Sequence, residues 1–174
     1  LVFNIKHGRE FGKWASIYTP TVDPAWFQAQ AKAESRYKEN AVSPVKAAGL
    51  MQIMPKTFKE IAKETKTKGF ISAFNPEISI QFGIYYMSKQ LKIWKSKDGR
   101  TPLDQLQLAQ ASYNAGAGSV IASQEKCGGV KTYSGVIACL PKVTGKHSKE
   151  TIGYVVTIAK FKKELDSKPL KFKY

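Results

Sequence analysis

Arginine is scarce. Arg9, Arg36 and Arg100 are the only three in 174 residues, although lysine and arginine together number 28 against 13 acidic residues. The resulting net charge of +15 is carried almost wholly by lysine. Such a surface attracts polyanions, with an anionic cell envelope as the expected partner. Specific base reading favours arginine, and no nucleic-acid motif is present, so a specific nucleic-acid partner is not expected. The only histidines, His7 and His147, are isolated, which makes a zinc site improbable and leaves no metal or cofactor called for. No run of eighteen or so apolar residues exists, so membrane insertion is not expected. Period-two alternation is nearly missing, as are internal repeats and low-complexity linkers. Leu1 stands first, and no stretch like a secretory signal follows it, which leaves the route of export open.

The two cysteines, Cys127 and Cys139, flank a Gly-Gly-containing stretch in which Val, Tyr and Val alternate, suited to a small hairpin or an extended loop. A disulfide closing so short a loop would stabilise by about 3 kcal/mol in the chain-entropy model. Two buried free thiols are the alternative.

What is present reads as helix. The length fits one domain with a core, and 43% hydrophobic residues is ordinary for a globular chain. Residues 1–22 lack clear periodicity and read as an N-terminal arm. Asp23-Pro24 opens a helix to about Tyr37, Asp as cap and Pro at the first position. Pro55 opens a second, and Asn75-Pro76 a long third to about Trp94, in which Ile80, Ile84, Met87, Leu91 and Trp94 step by three or four. Thr101-Pro102 with Asp104 opens a fourth through Tyr113, ended by the glycines of Asn114-Ala115-Gly116-Ala117-Gly118. A short helix follows, and Ser148 is expected to cap a last one to about Leu165. Residues 166–174 form a basic tail. The fold class expected is mainly α, with a long central helix and at most a small hairpin.

Glu34 is unusual among the acids. Phe27, Ala31 and Glu34 lie on one stripe of the first helix, so the carboxyl continues an apolar face. Such surroundings disfavour the charged form and let a carboxyl stay a proton donor near neutral pH. On its own, such a residue could equally be a partly buried Glu paired with Arg36 or a lysine. Facing it, Gly49-Leu50-Met51-Gln52-Ile53-Met54-Pro55 reads as the apolar wall of a groove with Gln52 as its one polar tooth. No second carboxylate is obviously placed as nucleophile or base, which two-carboxylate glycosidases need at a defined separation. Glu39, past the helix end, is the residue that keeps a hydrolytic reading open.

Five ordered blocks are similar to the successive motifs of soluble lytic transglycosylases with a goose-lysozyme-like fold: Glu34-Ser35, Ala41-Val42-Ser43, Gly49 to Pro55, Tyr113-Asn114-Ala115-Gly116, and Glu150-Thr151-Ile152-Gly153-Tyr154-Val155. Asn75-Pro76 with Ile80, Gly83 and Tyr86-Met87 resembles their central helix, and the match runs from about Asp23 to Leu165. The resemblance implies a lysozyme-like catalytic domain over residues 23–165 that acts on peptidoglycan glycan strands. It implies that Glu34 protonates the leaving oxygen of the MurNAc-β-1,4-GlcNAc bond and then takes the proton of the muramyl C6 hydroxyl, leaving a 1,6-anhydro end.

Ser43, Gln52, Met54, Tyr113, Asn114 and Tyr154 are then expected to hold substrate, with Glu150 in support. For Ser43 and Gln52 the alternative is a loop-stabilising contact, for Met54 and Tyr154 core packing, and for Asn114 stabilisation of the turn. Ser112 departs from the alanine that often precedes the Tyr-Asn-Ala-Gly block. The expected protein is a monomeric wall enzyme of the periplasm or cell wall, delivered as a phage lysin or as an exported bacterial enzyme. Competing readings are a hydrolytic lysozyme, a wall-binding module without activity, and a basic nucleic-acid binder.

Overall fold

Capping side chains and prolines set most of the helix starts in this chain, and the order of elements follows from them. The computed structural model describes residues 6–95 and 99–168. In chain order it contains α1 (Gly8–Tyr18), α2 (Ala25–Ser35), α3 (Pro55–Glu64), α4 (Pro76–Ile93), α5 (Pro102–Ala115), α6 (Ala117–Lys126), α7 (Tyr133–Ile137), α8 (Pro141–Thr144), a 3-10 turn at Gly145–His147, and α9 (Ser148–Asp166). The fold is mainly α, as expected. Among the described residues the only β pairing is two isolated bridges, Val42 with Ala48 and Ala48 with Ile53. The chain forms two compact units, one running through Tyr86 and resuming at Ile158, the other from Met87 to Thr157.

In the first unit, the segment read as an aperiodic arm contains a helix. Phe11 and Ala15 of α1, four residues apart, are fully buried, and Trp14 stacks on Tyr18 at 5.7 Å between ring centroids. Tyr18 meets Tyr85 edge-on at 5.1 Å. Residues 1–5 lie outside the described residues. Asp23 begins α2 as expected, its Oδ1 accepting from Ala25 N at 2.9 Å. The helix stops at Ser35, two residues short of expectation, because Arg36 and Tyr37 both take left-handed backbone at φ 52 and 62. It is also buried on more than one stripe, since Gln28 and Gln30 are as inaccessible as Phe27 and Ala31.

The chain then folds back through Lys38 N to Ser35 O at 3.0 Å and Gly49 N to Ala41 O at 2.9 Å. Gly49 sits at φ 79, and a β-carbon there would lie 1.9 Å from the Ala73 carbonyl oxygen. Only glycine fits that backbone and that space. Met51 is fully buried and lies against Gly83 of α4, where a β-carbon would come to 2.5 Å from its side chain. Ser79 Oγ accepts from Met51 N at 3.1 Å, fastening the loop to the same helix. Asn75 Oδ1 caps that helix by accepting from Ile78 N at 3.0 Å.

In the second unit, Thr101 and Asp104 form a reciprocal capping box on α5: Asp104 N donates to Thr101 Oγ1 at 3.0 Å and Thr101 N to Asp104 Oδ2 at 3.1 Å. The other oxygen of Asp104 accepts from Tyr133 N at 2.8 Å. Gly116, at φ 84, ends the helix. Cys127 and Cys139 are joined by a disulfide with their Cα atoms 5.7 Å apart. The segment between them is neither hairpin nor extended. It contains α7, capped by Thr132 Oγ1, which accepts from Gly135 N at 3.2 Å, and Val136 alone of its side chains is fully buried. Ser148 begins α9 differently from expectation, its hydroxyl donating back to Gly145 O at 2.7 Å. Of the Lys-rich tail, residues 169–174 lie outside the described residues, as do residues 96–98 of the turn before α5.

Ser112 has a structural reason to differ from alanine. Its buried hydroxyl oxygen accepts the indole N–H of Trp94 at 2.7 Å, and both residues are inaccessible. Replacing it leaves a buried donor without a partner, which costs about 1–3 kcal/mol. Ser112→Ala is therefore expected to lower the unfolding free energy from urea denaturation by that amount, moving the midpoint down with an unchanged slope, and Ser112→Thr, which keeps the hydroxyl, to retain more of the stability.

Candidate active site

Each unit carries part of the expected set. In the first, Glu34 occupies the penultimate position of α2 and is half-buried, as its place on a mainly apolar stripe required. One turn earlier, Gln30 is fully buried, and neither of its amide atoms meets a protein partner within hydrogen-bonding reach. That polar residue beneath Glu34 escaped the sequence reading, which counted only the apolar members of the stripe.

The loop after α2 is held by its own side chains. Ser43 Oγ accepts from Ala47 N at 3.0 Å, and Ser43 N donates to Ala47 O at 2.9 Å, closing the turn at Ser43-Pro44. Gln52 donates from Nε2 to Ala41 O at 3.1 Å and to Gly49 O at 2.8 Å. Both residues therefore make the loop-stabilising contacts that were the alternative to substrate binding. Gln52 itself is at φ 48, a left-handed backbone that its two side-chain bonds help to hold. Met54 precedes α3 with 41% of its surface exposed, so it belongs to the surface and its neighbour Met51 to the core.

Glu39 is engaged elsewhere. Its Oε1 lies 2.8 Å from Lys6 Nζ and 3.0 Å from His7 Nε2. Hydrogen bonds from Lys6 and then His7 hold its carboxyl below the usual range. A carboxylate with a lowered pKa is a weak base, the opposite of what water activation near neutral pH requires.

In the second unit, Asn114, Ala115, Thr144, His147, Glu150 and Thr151 line an open depression of about 400 Å³. Asn114 Oδ1 accepts from Thr151 Oγ1 at 2.7 Å, tying the end of α5 to the start of α9. Glu150 is exposed on the first turn of α9. Tyr113 and Tyr154 are both half-buried. Thr144 and His147 were not anticipated. The only sequence signal for His147 is its place three residues before Glu150, just after Gly145. Among the described residues no group of three or more His, Cys, Asp or Glu side chains converges as a metal site.

The pairing of Glu39 sets an expectation for stability. Because its folded pKa is lowered, Glu39 contributes stability that is complete above the ordinary carboxylate value of 4.5 and is lost as the pH falls through the lowered one. Urea denaturation between pH 3 and 7 is expected to show an acid decline that is shallower in Glu39→Gln, whose stability at neutral pH is lower than that of the parent. Equal acid slopes in the two proteins would rule this out.

Comparison with known proteins gives one family. The sequence model described as the transglycosylase SLT domain matches residues 12–134. Among solved structures, the 70 kDa soluble lytic transglycosylase of Escherichia coli is similar with 25% identity and a TM-score of 0.69, over 88% of this chain and 24% of that one. An inactive glutamate-to-glutamine mutant of the lytic transglycosylase Slt from Pseudomonas aeruginosa matches with 22% identity and a TM-score of 0.72, over 96% of this chain and 25% of that one. A complex of the 70 kDa soluble lytic transglycosylase with bulgecin A matches with 24% identity and a TM-score of 0.74, over 95% and 25%. The chain thus spans about a quarter of the length of these solved relatives.

Proposed function

Because the chain belongs to the SLT transglycosylase domain family, we propose that it is a peptidoglycan lytic transglycosylase with Glu34 as its single acid and base. Glu34 first gives its proton to the glycosidic oxygen as the bond from C1 of the muramyl sugar breaks. The carboxylate so formed then removes the proton of the C6 hydroxyl, whose oxygen bonds to C1. One bond to C1 is broken and one is made, the proton returns to Glu34, and the product carries a 1,6-anhydro ring. No water enters.

The observation that carries transfer over hydrolysis is the condition of Glu39. The carboxylate nearest in sequence to Glu34 is paired with Lys6 and His7 and held in its charged, weakly basic form. Support for the role of Glu34 comes from its half-buried position at the end of α2, and from the relative that a glutamate-to-glutamine exchange accompanies in its inactive form. Met54, exposed beside the loop, supplies an adaptable apolar contact for sugar. Ser43 and Gln52 shape that loop, while Tyr113, Asn114 and Tyr154, with Glu150 in support, are the groups of the second unit assigned to the glycan. The setting is the periplasm or the cell wall, reached as a phage lysin or as an exported bacterial enzyme, and the cationic surface favours approach to an anionic envelope.

Loss of a positioned acid–base group costs about 10²–10⁴-fold in rate. Glu34→Gln is expected to fall by that much on purified wall while keeping its circular dichroism, its unfolding free energy within about 1 kcal/mol, and its binding to wall. Mass spectrometry of digests by the parent protein is expected to find anhydro-muramyl ends. Reducing muramic acid ends in their place would make the protein a hydrolytic lysozyme, and full activity in Glu34→Gln would mean that another residue is the acid.

A further inference from the structure

Phe70 is 100% exposed, and Phe74, four residues on, is 47% exposed. Both lie in the segment between α3 and α4, and its ends are fixed. At the end of α3, Thr67 N donates to Ala62 O at 3.1 Å and Lys66 N to Lys63 O at 3.2 Å, while the Thr65 and Thr67 hydroxyls meet at 2.7 Å. Toward α4, Phe74 N donates to Ser72 Oγ and Asn75 N to Ser72 O, each at 3.1 Å. Gly69, at φ 88, makes the turn that precedes Phe70.

The exposed charges on the approach to the ring are mainly positive, since Lys63, Lys66 and Lys68 stand against Glu64, whose carboxylate accepts from the Tyr85 hydroxyl at 3.0 Å. Lys63, Lys66 and Lys68 are all exposed, and among the described residues none of their ammonium groups is ion-paired. Lys66 stands at φ 53, at the helix-ending position where glycine is the least costly residue.

We propose that Phe70 with Lys63, Lys66 and Lys68 forms a docking tip for an anionic lipid surface. The ring enters the boundary between headgroups and acyl chains, and the long lysine side chains reach the lipid phosphates around it. An exposed apolar side chain in a segment rich in flexible cations matches that boundary. Sugar stacking would call for amide or carboxylate side chains beside the ring to meet the hydroxyls, and the sequence neighbours of Phe70 are Lys68, Gly69, Ile71 and Ser72, with the Thr67 hydroxyl already bonded to Thr65 and the Ser72 hydroxyl oxygen to Phe74 N. No described helix is long and apolar enough to cross a membrane, so the contact is peripheral. The tip holds whether or not Glu34 is the acid.

The test is cosedimentation of the full chain, at physiological salt, with vesicles of phosphatidylcholine alone and of phosphatidylcholine with about a third phosphatidylglycerol. Binding is expected to the anionic vesicles only. Phe70→Ser is expected to weaken it about tenfold. Lys66→Gly, which also relieves the left-handed residue and so keeps the fold, should weaken it about fivefold. Lys146→Gln, which removes an exposed lysine of the second unit, should stay within about twofold of the parent.

Absence of binding by the parent overturns the proposal, as does unchanged binding by Phe70→Ser. Equal weakening by Lys66→Gly and Lys146→Gln would mean that overall charge alone is responsible. If Phe70→Ser loses affinity for purified peptidoglycan and none for vesicles, the segment is a glycan contact.

Discussion

Met51 occupies the space that a side chain on Gly83 would need, and much of the first unit depends on that contact. A methionine can fill such a gap because its unbranched side chain adapts to the shape offered. The missing β-carbon lets the loop lie directly on α4, where the Ser79 hydroxyl takes the Met51 N–H. Gly49 repeats the device two residues earlier against the Ala73 carbonyl. Two bare α-carbons therefore fix the depth of the loop on its helix, and the polar residues on the other side of that loop inherit their position. Any enlargement at either glycine displaces backbone, which cores tolerate poorly.

The second unit is organised around a carboxylate. Burial works against the charge of Asp104, but the bonds from Tyr133 N and from Thr101, with Arg100 nearby, outweigh it and hold the carboxyl below its usual range. One oxygen closes the cap of α5 while the other holds the N–H that begins α7. Arg100 adds a second link by donating from Nε to Lys131 O at 2.9 Å, and its guanidinium lies 5.2 Å from the Trp94 ring. The segment bounded by the disulfide is thus held at its middle as well as at its ends.

Much of the fold was legible because the signals are local. Asp23, Asn75 and the Thr101–Asp104 pair each announce a helix within four residues, and each is found capping one. Where the deciding contact is distant, the reading failed. The helix at Gly8–Tyr18 rests on two buried side chains amid glycines and lysines, too few to show a period. The five residues of α7 carry Val, Tyr and Val in an order that imitates a strand, and the Thr132 cap decides otherwise. At the candidate site, Glu34 stood out by its place on the Phe27–Ala31 stripe, and the ordered blocks around it turned that into a role. His147 could not, since the depression it lines joins residues 144–151 to Asn114 and Ala115, about thirty positions earlier. Gln30 hid because an amphipathic stripe records what is apolar and is silent about a buried amide.

The amide of Gln52 has only two hydrogens, and both point inward, to the carbonyls of Ala41 and Gly49. With both donors used, the carbonyl oxygen is the one hydrogen-bonding function of that side chain left over. The folding of the loop thus commits both amide hydrogens of Gln52 to its own backbone, and the same two bonds that hold the turn fix which way the side chain faces.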